Sequence, residues 1–152
     1  MDRVAELQAE VVAALHKLTA VPPQVDAVIV EAGDFYVQFG LPSGGHPNWL
    51  PFEAVGDEFL PDDRQLTPEQ GLRLAELGFS APNLGPDERN RGGHDEVSPN
   101  WHNLVAFDDA RVDELASKAI QAMIAAYRIP ASDIVVTTIP SAPPRQRPTR
   151  KR

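Results

Sequence analysis

The sequence predicts an α+β fold: an antiparallel sheet with three helices packed mainly on one face. Three observations carry this. Segments around 25–41 and 134–139 are rich in β-branched and aromatic residues with period-two alternation. Two other segments repeat apolar residues every third or fourth position, the spacing of one helical face, and a third is bounded by helix caps. Ala32-Gly33-Asp34 is a turn signal that joins two of the strand-like runs as a hairpin.

The elements follow in order. A first helix is predicted over 2–18, where Val4, Leu7, Val11, Leu15 and Leu18 fall on one stripe. Val21-Pro22-Pro23 ends it, because the residue before a proline avoids the α region. Strands are predicted over 25–31 and 34–41. In the second, Phe35, Val37 and Phe39 face one way and Tyr36 and Gln38 the other. A third strand lies within 48–60, with Pro51 suited to an edge or a bulge. The second helix has the sharpest boundaries. Thr67 caps it, Pro68 occupies the first position, Gln70 completes a capping box and Gly78 supplies a left-handed stop. Residues 80–99 read as a long polar loop. A third helix is predicted over 108–128, capped by Asp108, with Val112, Leu115, Ala119, Met123 and Tyr127 as its stripe. A last strand covers 134–139. The order is α-β-β-β-α-loop-α-β, in one domain over 1–140 followed by a disordered basic tail over 141–152.

Composition narrows the function classes. At 152 residues, 42% hydrophobic and 24% charged, the chain can bury a real core. It has no cysteine, which excludes disulfides, thiolate zinc sites and a Cys nucleophile and suits the cytoplasm. Neither a signal peptide nor a membrane-spanning run of about 18 apolar residues is expected. The net charge is −8, but the last eight residues carry five Lys/Arg and no acid. The acidic body disfavours nucleic acid, and only the tail 145–152 offers clustered cations.

Catalytic and cofactor motifs are weak. His94-Asp95-Glu96 with His102 has ligand types suited to zinc, but the Gly/Pro loop context lacks helical metal-binding spacing. No Gly-x-Ser-x-Gly elbow occurs, and Gly44-Gly45 and Gly92-Gly93 do not open helices as phosphate loops do. No metal or other cofactor and no catalytic residue is therefore expected. The large aromatics are more informative, because they are enriched both in cores and in binding hot spots.

Several motifs together resemble a family. Tyr36-Val37-Gln38-Phe39, Glu53-Ala54-Val55 with Glu58-Phe59-Leu60, Leu77-Gly78-Phe79, Pro82 and Asn100-Trp101 resemble the actinobacterial TY-Chap family, from about 25 to 136. The family usually carries Trp where this chain has Phe79. The resemblance implies a fold like that of type III secretion chaperones and YbjN proteins, and a role in binding peptides.

The expectation is a non-enzymatic, chaperone-like module that binds a polypeptide segment or protein client. Tyr36, Gln38, Trp49, Phe52 and Trp101 are its expected contact residues, by sheet-edge addition or on an uncovered sheet face. Two alternatives are a structural subunit whose open face makes a homodimer, and a small metal-dependent hydrolase using the loop of His94 and His102.

Overall fold

The computed structural model describes residues 2–42, 48–82 and 98–141. The elements, in chain order, are α1 (Arg3–Leu18), β1 (Val25–Ala32), β2 (Phe35–Gly40), β3 (Trp49–Ala54), α2 (Pro68–Glu76), β4 (Trp101–Ala106), α3 (Val112–Gln121) and β5 (Val135–Pro140). Five strands form one antiparallel sheet in the order β4-β3-β2-β1-β5, and the three helices make the fold α+β as the sequence predicts. The chain meanders from β1 to β4. It then returns through α3 to lay β5 beside β1, at the opposite edge.

Local chemistry sets the helix ends. Asp2 accepts the amide of Val4 and caps α1. Thr67 and Gln70 form the reciprocal capping box of α2, at 3.1 and 2.8 Å. Gly78 follows at φ +99°, a conformation glycine adopts without a Cβ penalty. Asp108 acts earlier than expected: its carboxylate accepts the Arg111 amide at 2.9 Å and closes a turn, and α3 begins only at Val112. Beyond Gln121 the helix widens into a π-turn over Ala122–Ala126, closed by the Tyr127 amide on the Ala122 carbonyl at 3.0 Å.

The core lies between the helices and one face of the sheet. The apolar side of α1 packs on β1, β5 and α3, and α2 packs against the π-turn. The inward strand residues Val28, Val30, Val37, Phe39 and Leu50 are fully buried. Phe39 and Phe52 stack at 4.3 Å, and Phe52 meets Phe79 at 4.6 Å, joining the sheet to the end of α2. Phe35 packs on Tyr127 at 5.0 Å.

One strand departs from the sequence reading, which assigns no element to 101–106. β4 pairs along the whole of β3 and closes that edge of the sheet. Its inward positions are Trp101, Asn103 and Val105, and its outward ones His102, Leu104 and Ala106. A polar residue inside and a leucine outside invert the usual alternation, which hides the strand from a periodicity argument.

Candidate functional site

Strand pairing decides which side chains share the face that none of the described helices covers. One rung across the sheet is polar except at Ile29: His102 opposes Glu53, Glu53 opposes Gln38, Gln38 opposes Ile29, and Ile29 opposes Thr137. The neighbouring rung is apolar. Leu104 opposes Pro51 at one edge, and Ala27 opposes both Gly40 and Ile139 toward the other. A Cβ on Gly40 would stand 3.7 Å from the Pro51 ring, so these two rungs' halves meet in the middle. Small residues at the centre and large ones at both ends give this rung the profile of a shallow trough.

Large apolar side chains are left uncovered here. Trp49, Leu104, Val135 and Ile139 are 43–51% exposed and all lie on this face. Together they are four of the seven exposed large hydrophobic residues among those described. A few scattered exposed apolar residues need no explanation, but a group on one face marks a contact surface. The face ends at β5, Val-Val-Thr-Thr-Ile-Pro, an edge strand without a charged residue. Charges are the usual block to edge pairing. The other edge is partly protected, because Ser80 and His102 exchange backbone hydrogen bonds at 2.7 and 3.0 Å.

The expected contact residues divide. Tyr36, Gln38 and Trp49 face the bare side of the sheet. Phe52 does not: it pairs inward opposite Phe39, is 1% exposed, and is a core residue rather than a contact. Trp101 also points inward, opposite Ala54, and its ring lies beneath α2. Inward rungs alternate with outward ones, so both residues necessarily sit on the helical side.

A buried polar clasp braces one end of the face. Asn100 is 5% exposed, and its amide oxygen accepts the Gly56 N–H at 2.9 Å. Its amide nitrogen donates to the Tyr36 hydroxyl at 3.1 Å and to Glu53 at 3.2 Å. Tyr36 is therefore only half-buried on the bare side, with its hydroxyl committed to the fold. His102 Nδ1 lies 3.0 Å from the Asn100 carbonyl, within hydrogen-bonding reach of it. Gly56 has no room for a side chain, because a Cβ would come within 2.2 Å of the Pro99 carbonyl. Behind the clasp, the Tyr127 hydroxyl donates to the Val55 carbonyl at 2.7 Å. Burial, reinforced by Tyr36 and Asp57, pushes the Tyr127 hydroxyl well above its ordinary pKa. The motif residues Tyr36, Glu53 and Asn100, far apart in sequence, thus act as one bracket, which no spacing rule could reveal.

Among the described residues no three His, Cys, Asp or Glu side chains are grouped to hold a metal ion. His94, Asp95 and Glu96 lie outside the described residues, as does the basic tail over 145–152. Among the described residues no helix is long and apolar enough to cross a membrane.

A five-stranded antiparallel sheet backed by three helices among the described residues is an α+β architecture, consistent with a chaperone-like fold. The chain belongs to the TY-Chap3 family, described as T3SS (YopN, CesT) and YbjN peptide-binding chaperone 3, whose match spans residues 2–139. Neither a curated protein nor a solved structure matches the chain.

Proposed function

We propose that this protein is a cytoplasmic, non-enzymatic chaperone whose bare sheet face holds a segment of a client polypeptide. The observation that carries the reading is the placement of Trp49, Leu104, Val135 and Ile139 on the face that none of the described helices covers. The client lies along the trough between Leu104 and Ile139. Trp49 closes one side, and Gln38 and the ring of Tyr36 offer contacts beyond it. Apolar anchors supply most of the affinity, as hot-spot aromatics do elsewhere. A client that continues past Ile139 meets the uncharged β5 edge, whose free main-chain groups can hydrogen-bond to it. The family's peptide-binding description agrees with this reading.

The test is site-specific photocrosslinking in the native host. p-Benzoylphenylalanine replaces Leu104 on the bare face or Ala9 on the outer side of α1. The expected result is an adduct with a client polypeptide from position 104 and none from position 9. An adduct with a second copy of this chain would establish the homodimer reading instead. Equal labelling from both positions would remove the bare face as the site.

A further inference from the structure

A second surface lies on the helical side of the sheet. α2, the segment after Phe79 and the Asp57–Phe59 turn enclose a groove of about 710 Å³. That volume lies within the range of about 300–1,000 Å³ typical of small-ligand sites, and it accommodates several side chains. Its walls are apolar, with Leu72, Ala75, Phe79 and Trp101 prominent and three prolines stiffening the rim. Leu72 is 61% exposed, an unusual state for a leucine on an α2 face that borders packed aromatics.

The floor required a concession from the helix. Gly71 sits inside α2, where glycine costs roughly 0.5–1 kcal/mol relative to alanine. A Cβ there would stand 3.1 and 3.3 Å from the Trp101 ring. The glycine lets the indole lie directly under the helix and form the base of the groove.

Charge selects the occupant. The charged residues that line the groove are Asp57 and Glu58, and no lysine or arginine lines it among the described residues. Arg64, nearby in sequence, is engaged with Asp34 at 3.1 Å, and Arg128 with Glu69 at 3.0 Å. Both acids are exposed beside the apolar wall, so a lysine or arginine can lay its stem on the wall while its charged head reaches them. We infer that this groove binds an amphipathic peptide segment, with apolar residues on Leu72 and Trp101 and lysine or arginine at Asp57 and Glu58. The site stands apart from the bare-face reading, since it lies on the other side of the sheet and uses none of the same side chains.

The test uses defined probes: fluorescent 14-residue peptides of leucine with lysine, leucine with glutamate and leucine with serine. Anisotropy titrations are run with the full chain at physiological salt. The leucine–lysine peptide should bind at least about tenfold more tightly than the leucine–glutamate peptide. Ala75→Trp, which fills the groove from an exposed position, and Glu58→Lys should each weaken it by about tenfold. Asp113→Lys, an exposed acid in the first turn of α3, should change it by less than about twofold. Melting curves confirm that each variant folds. Three results would overturn the inference: affinity indifferent to Ala75→Trp and Glu58→Lys; an equal loss with Asp113→Lys, which would mean diffuse attraction to an acidic body; or a loss with Trp49→Ala alone, which would move the peptide to the bare face and leave that reading standing.

Discussion

The two faces of this sheet are built by the same strands and put to opposite uses. On the covered face Val28, Val30, Val37, Phe39 and Phe52 are at most 1% exposed. On the bare face, one residue along in the pleat, Trp49, Leu104, Val135 and Ile139 keep 43–51% of their surface. Fully burying a large apolar side chain is worth about 1.5–3 kcal/mol. The covered face therefore carries the stability of the fold. The bare face contributes little until something covers it, so its apolar residues are available for association.

Four variants break or sharpen that contrast, and urea unfolding monitored by circular dichroism reads them all. Phe52→Ala removes the middle ring of the Phe39–Phe52–Phe79 stack and should cost about 3–5 kcal/mol. A loss below about 1 kcal/mol would mean that the covered face is not where stability resides. Asn100→Ala strips the clasp and leaves the Gly56 N–H buried without its acceptor, for a loss of about 2–3 kcal/mol.

Tyr127→Phe deletes the hydrogen bond to Val55 and should cost about 1 kcal/mol at neutral pH. Its pH dependence has a definite sign. Tyr127 is raised above 10.0 in the folded state, so the unfolded chain releases this proton first. The stabilisation is fully present below pH 10.0 and is lost as the pH climbs above it. The gap between wild type and Tyr127→Phe should narrow from pH 9 to 11; a constant gap would contradict the burial of the hydroxyl. Smallest is the double change Trp49→Ala with Leu104→Ala, which should alter stability by less than about 0.5 kcal/mol. A larger loss would show that the bare face is already part of the core. Tyr36 is unsuited to this test because its hydroxyl accepts from Asn100, and its removal would disturb the clasp as well as the face.

Much of the fold was legible because its signals are local. The α2 caps depend on residues three positions apart, and Thr67, Pro68, Gln70 and Gly78 play their expected parts. The α1 stripe and the β1–β2 hairpin were equally readable, because each repeats a period of its own element. β4 was not, since Asn103 faces inward and Leu104 outward. The start of α3 was misplaced because Asp108 caps a preceding turn with the same hydrogen bond that would cap a helix.

The candidate site was only half legible, and Phe52 shows why. An aromatic between Pro51 and Glu53 has the same sequence signature whether it meets a partner or a core. Its fate followed from register, which set it opposite Phe39 and not opposite Gln38. By itself the sequence determined α1, α2, the β1–β2 hairpin, the fold class and the outward direction of Tyr36 and Gln38, because those depend on dihedral preferences and periods within short segments. Only the tertiary structure decided that Tyr36, Glu53, Gly56 and Asn100 form one clasp, that Leu104 and Ile139 end the same trough, and that Gly71 opens α2 to Trp101. Those are contacts between residues up to 64 positions apart, fixed by pairing register and packing rather than by any neighbour along the chain.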